Sequence, residues 1–146
     1  MDISSLKPLT ILLVEDDDGD ARAVRRAFQK AKIVNPILRA LDGIEALDML
    51  KGVNGQPKPH APYVLLVDLN LPRMNGMQLV QAMRQDQELH RCVVFILTTS
   101  KSEEDMAAAY QLNVAGYVVK QTAGDDFLGL VSLMDSYARI VELSSS

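Results

Sequence analysis

The chain has 146 residues, with 15 Lys plus Arg against 19 Asp plus Glu and a formal net charge of −4. Apolar residues make up 48% and charged residues 23%, the composition of a globular protein whose length supports one hydrophobic core rather than two. Without a Lys/Arg block there is no electrostatic footprint for nucleic acid or an anionic membrane, and the single cysteine, Cys92, excludes an internal disulfide or a Cys-rich zinc site.

The opening MDISSLKPLT has no positive segment followed by an apolar one, so no signal peptide is expected. No apolar run approaches the ~20 residues of a membrane span, and a cytoplasmic setting is expected. Thr10 to Val14 is an apolar run of strand length ending in Glu15-Asp16-Asp17-Asp18. Ala21, Val24, Phe28 and Ala31 then recur at helical spacing. Asp18 and Asp20 suit the helix N-terminus with its unpaired N–H groups, and Asp17 reads as a solvated or capping residue. Asn35-Pro36 breaks the helix, Ile37 to Ala40 is a second short strand, and Ile44, Leu47 and Leu50 mark a second helix.

Residues 52–62 hold two Gly and three Pro and form a long loop. Tyr63 to Val67 is the third strand, ending in Asp68, and a helix from Gly76 presents Leu79, Val80 and Met83 on one face. Cys92 to Leu97 is the fourth strand, with Cys92 as a buried thiol, and Thr98, Thr99 and Ser100 follow. Ser102 and Asp105 resemble a capping box at the head of a helix through Met106, Ala109, Tyr110 and Leu112. Gly116 to Val119 is the fifth strand, ending in Lys120, and a last helix runs from Asp125 to Leu143. His60 and His90 fall in loops, without ligand or phospho-donor spacing.

Five apolar strands, each followed by a helix, predict an α/β fold: a doubly wound parallel sheet covered on both faces. There is no GxGxxG after the first strand and no GxxxxGK[ST], which argues against dinucleotide and P-loop sites. In such a sheet, ligands bind beyond the carboxyl ends of the strands, at the point where strand order reverses. The first polar residues there are Glu15, Asp16 and Asp17, then Asp68, Thr98 and Lys120. Clustered carboxylates must protonate or bind a cation, and oxygen ligands without His or Cys favour Mg²⁺. A lysine and a hydroxyl suit a phosphoryl group, and an Asp can itself accept one.

These residues resemble the receiver domain of two-component response regulators over about residues 8–143. The matching text is ILLVEDD at 11–17, LLVDLNLPRMNG at 65–76, FILTTS at 95–100 and GYVVK at 116–120. The resemblance implies a flavodoxin-like (βα)5 fold with strand order 2-1-3-4-5. It implies a single receiver domain over 1–146, with 144–146 a short tail. It makes Asp68 the phosphoacceptor for a histidine kinase and Asp16 a direct Mg²⁺ ligand. Glu15 would act on the metal through water and Asn70 would offer its backbone carbonyl. Thr98 and Lys120 would bind phosphoryl oxygens, and Tyr117 would be the aromatic that turns inward on activation. The domain would promote its own phosphorylation and dephosphorylation without turning over a separate substrate.

One position departs from the family, which has proline after the strand-five lysine where this chain has Gln121. A cis bond before a non-proline residue costs ~2.5–4 kcal/mol, so the lysine is aimed either by a strained peptide or by a trans one. The long loop, the VDLNLPRMNG phrase, the LTTSKSEED run and the overrunning last helix are similar to small stand-alone regulators that partner phytochrome-type histidine kinases.

One receiver filling the chain must signal by protein contact. On the last helix Phe127, Leu130, Val131, Met134, Ala138 and Val141 form the sheet-facing stripe, and Leu133, Tyr137 and Ile140 widen it. The expectation is a homodimer through the face of the fourth helix, fifth strand and fifth helix. Two other readings stay open: a pseudo-receiver that binds partners without phosphorylation, and a Mg²⁺-dependent phosphatase of the haloacid-dehalogenase type. The latter expects DxDx[TV] after its first strand, whereas Asp68-Leu69-Asn70-Leu71-Pro72 follows the third.

Overall fold

A computed structural model of the chain describes residues 9–59 and 63–120. The elements alternate: β1 (Thr10–Val14), α1 (Asp18–Lys30), β2 (Ile37–Ala40), α2 (Gly43–Lys51), β3 (Tyr63–Val67), α3 (Gly76–Arg84), β4 (Val93–Thr98), α4 (Glu103–Gln111) and β5 (Gly116–Val119). The five strands form one parallel sheet in the order β2-β1-β3-β4-β5. The α/β class and strand order are those expected from the sequence.

Alternate strand residues face opposite layers. Leu12, Val14, Leu65, Val67, Val94 and Ile96 pack with Ala46, Met49 and Leu50 of α2, Leu79, Val80 and Met83 of α3, and Ala109 of α4. Ile11, Leu13, Val64, Leu66, Phe95 and Leu97 pack against Ala21, Val24, Ala27 and Phe28 of α1. The central strands are thus buried on both faces, which is why they read as continuous apolar runs.

The helices start where the sequence supplies acceptors for their free N–H groups. Asp17, Asp42, Asn75 and Ser102 cap α1, α2, α3 and α4 in turn. Several local expectations are corrected. Ala31 is exposed at the end of α1, because Lys32 takes a left-handed φ of 59° and stops the helix, and Ala27 fills the core position. On α2, Ala46 and Met49 are buried while Ile44 and Leu47 are only half-buried. Cys92 is half-buried and precedes β4, its N–H closing a turn onto the Leu89 carbonyl, while Thr98 is the last residue of the strand. Tyr110 of α4 is 51% exposed. Ser102 and Asp105 make only half of a capping box, since the Asp105 carboxylate accepts from Ser100 Oγ instead. The last helix, His60 and the Lys120–Gln121 peptide lie outside the described residues.

Candidate functional site

Register brings the site together. Val14 pairs with Val67, and Val67 with Ile96, so β1 and β3 end on one level. The Glu15 N–H donates to the Ala40 carbonyl at 3.0 Å and the Asp68 N–H to the Val14 carbonyl at 3.0 Å. The ladder therefore fixes the backbone of both acids. Thr98 lies opposite Val119, the residue before Lys120. These positions surround the point where strand order reverses, between β1 and β3.

Lys120 ties three strand ends and a helix together. Its ammonium donates to Glu15 Oε1 at 2.6 Å, to Asp20 Oδ2 at 2.6 Å and to Asp68 Oδ2 at 3.1 Å. The other Glu15 oxygen accepts from the Asp17 N–H at 3.3 Å, and Asp68 Oδ1 from the Asn70 N–H at 3.1 Å. Glu15 and Asp68 are buried, whereas Asp16 and Asn70 are exposed. Carboxylate oxygens of Glu15, Asp16 and Asp68 all lie within 4.8 Å of one another. Arg39, from the edge strand, donates to the Glu15 carbonyl at 2.9 Å and pairs with Asp18 at 2.8 Å.

The site is short of positive charge. Burial pushes the Glu15 carboxyl up to about 7, assisted by the neighbouring Asp68 charge and only partly offset by Lys120. Burial works against the Lys120 ammonium, but its bonds to Asp20 and Glu15 and the charges of Glu15 and Asp68 hold its pKa well above the ordinary value. One ammonium among four carboxylates leaves room for a further cation, and the donor set is all oxygen. That set fits a hard divalent ion such as Mg²⁺.

Thr98 is fully buried at its strand end, and its Oγ1 accepts from the Ser100 N–H at 3.4 Å. Ser100 is the next junction. Its Oγ donates to Asp105 at 2.6 Å, and its carbonyl accepts from the Tyr117 hydroxyl at 3.0 Å. Tyr117 thus reaches from β5 back to the loop that begins at Thr98.

The loop after β3 is anchored differently. Arg73 makes a two-pronged contact with Asp42, Nε to Oδ2 at 2.8 Å and a second nitrogen to Oδ1 at 3.1 Å. The Gly43 N–H donates to the Met74 carbonyl at 2.9 Å. A Cβ on Gly43 would meet that carbonyl oxygen at 2.5 Å, and one on Gly76 would meet the Asp68 carbonyl oxygen at 2.3 Å. Both glycines are therefore places where backbone passes against backbone.

Glu15, Asp16 and Asp68 are thus in mutual reach and Lys120 bonds Glu15 and Asp68, with Thr98 and Asn70 at the neighbouring strand ends and Tyr117 one link away. Asp17 is the α1 cap, its carboxylate accepting from Asp20 N–H at 2.7 Å. His90 is exposed, with its ring beside the Gln87 carbonyl at 2.9 Å. Burial pushes the Cys92 thiol up, which keeps it protonated. Sequence reasoning missed the site contacts of Asp20, the Asp42–Arg73 pair and Ser100. Leu133, Tyr137 and Ile140 lie outside the described residues.

The family profile of the response regulator receiver domain matches residues 11–132. Response regulator Rcp1 of Synechocystis sp. is 32% identical over 137 residues, covering 94% of this chain and 93% of that protein. Among solved structures, the phosphorylated cyanobacterial phytochrome response regulator RcpA matches with a TM-score of 0.80 at 27% identity, over 96% of this chain and 97% of that one. The Mn²⁺-bound form of Rcp1 matches with a TM-score of 0.75 at 32% identity, over 89% and 94%.

Proposed function

Because the chain belongs to the response regulator receiver domain family, we propose that it is a phosphoaccepting switch with Asp68 as the acceptor. The observation that carries this reading is the set of Glu15, Asp16 and Asp68 oxygens within 4.8 Å of one another, with Lys120 bonded to two of the three acids. The Asp68 carboxylate attacks the phosphorus of a phosphohistidine. An O–P bond forms, the N–P bond breaks, and its electron pair stays on the imidazole nitrogen. Lys120 neutralises charge on the transferred group, and the Thr98 hydroxyl donates to one of its oxygens. Hydrolysis reverses the state when water attacks the same phosphorus and Asp68 leaves as a carboxylate.

Glu15, Asp16 and Asp68, with the backbone carbonyl of Asn70, would hold Mg²⁺. Bound there, the ion would offset the repulsion between the acidic cluster and an incoming phosphoryl group. The Mn²⁺-bound form of the similar Rcp1 supports a divalent site.

The phosphoryl donor in this reading is a sensor histidine kinase of the phytochrome type, supported by the likeness to the phytochrome response regulator RcpA. The receiver domain then works in the cytoplasm by protein contact, Tyr117 carrying the state of Thr98 outward through Ser100. A second copy is the contact proposed on the face of α4 and β5, with Leu133, Tyr137 and Ile140, which lie outside the described residues, as the further candidates named from the sequence. A monomeric mass by light scattering with and without phosphorylation would rule that dimer out.

Incubation with acetyl phosphate and Mg²⁺, followed by intact mass, tests the function. The switch gains one phosphoryl group, and Asp68→Asn does not. Turnover of a phosphomonoester, which does not serve a receiver as phosphoryl donor, would point to a phosphatase, and neither mass gain nor turnover to a pseudo-receiver.

A further inference from the structure

An ammonium has three N–H donors, and Lys120 spends one each on Glu15, Asp20 and Asp68. A phosphoryl oxygen arriving on Asp68 finds none of them free, so one existing bond must open. The three partners do not yield equally. Glu15 is 2% exposed, so bulk water cannot take the place of the ammonium there. Asp68 carries the incoming group itself. The Asp20 side chain is 38% exposed, sits in the first turn of α1, and rehydrates when released.

We propose that Asp20 is an exchangeable placeholder, its carboxylate occupying on Lys120 the donor that the phosphoryl group on Asp68 takes over. Asp20 is thus a positioning residue that acts through Lys120. It holds the ammonium over the site while the acceptor is bare and competes with the phosphoryl group for it afterwards. This inference rests on the phosphoacceptor reading above and assigns that site an affinity-setting residue on α1. Asp18, in the same helical turn, supplies a charge-matched contrast, because it pairs with Arg39 rather than Lys120.

The test is titration of the full chain with fluoroberyllate, a phosphoryl mimic, at saturating Mg²⁺. Binding is read from amide chemical shifts of Thr98 and Lys120, and thermal unfolding is recorded in parallel. Asp20→Asn is expected to lower the half-saturating concentration by about two- to fivefold, the range a partly exposed ion pair supports. Asp18→Asn, which removes the same charge nearby, is expected to leave it within about 1.5-fold of wild type. An unchanged or raised half-saturation in Asp20→Asn overturns the placeholder role, as does an equal fall in Asp18→Asn. If the wild type itself shows no response that Asp68→Asn abolishes, the phosphoacceptor reading fails and the placeholder with it. A change in unfolding temperature alone, with half-saturation unmoved, makes Asp20 a structural residue and overturns the proposal.

Discussion

The two loops that flank the acidic cluster are held in opposite ways. The loop from Leu69 to Asn75 follows the proposed acceptor and is fastened throughout. Leu69 and Leu71 are buried, Arg73 grips Asp42, the Met74 carbonyl takes the Gly43 N–H, and Gly76 closes onto the Leu69 carbonyl. The loop after Thr98 depends on one small residue, Ser100, which bonds to Thr98, Ser102, Asp105 and Tyr117. A group that accepts a phosphoryl must be held in place before the reaction, because reorganising it would add to the barrier. A segment that reports the event must have a second arrangement within a few kcal/mol. The fastened loop suits the first task and the serine-centred loop the second.

The largest expected effect that sharpens this contrast is Gly76→Ala. The added methyl meets backbone at 2.3 Å rather than a side chain that can turn away, so the cost is about 2–3 kcal/mol of stability, measured by urea unfolding. A cost under about 0.5 kcal/mol would mean the fastened loop yields after all. Asp42→Ala comes next, removing the α2 cap and the partner of Arg73. The lost cap alone costs about 1 kcal/mol, and the Arg73 end of the loop should lose amide-exchange protection.

The same pair gives a pH signature. Burial pushes the Asp42 carboxyl up, but Arg73 and the Glu45 and Ile44 N–H groups more than offset that and hold it below the usual range. A lowered folded pKa contributes stability above the unfolded value of about 3.9 and loses it as pH falls through the folded one. The stability gap between wild type and Asp42→Ala should therefore be full at pH 7 and narrow below about pH 4. A gap that widens on acidification would contradict the assignment.

Ser100→Ala is expected to have the smallest effect on global stability, about 1 kcal/mol or less. It should nonetheless speed amide exchange at Ser102 and Thr99 more than Asp42→Ala does at Met74. If it destabilises more than Asp42→Ala, the contrast between the loops is reversed.

What could be read from the amino acids follows the same division. Buried strands announce themselves as apolar runs, and each run ends at its first polar residue, so Glu15, Asp16, Asp68, Thr98 and Lys120 were visible as a converging set. The strand order and its reversal beside β1 needed only the alternation of elements and the family likeness. Asp20 was visible only as an acid suited to a helix start, and nothing local separates it from Asp18. Its partner Lys120 is 100 residues away. Asp42 and Arg73 likewise meet across 31 residues. Boundaries failed by a residue or two where backbone geometry decides, as at Lys32 with its left-handed φ and at Cys92 in its turn. The exposure of Tyr110 could not be read from the helical spacing, because α4 rests on the sheet through Ala109 alone among its buried residues.

The central claim is that Asp68, and no neighbouring acid, takes the phosphoryl group. Borohydride reduces an aspartyl phosphate to homoserine, marking the acceptor covalently. After acetyl phosphate and Mg²⁺, reduction and peptide sequencing by mass should find homoserine at position 68. Homoserine at position 16, 17 or 20, or at none, would contradict the account.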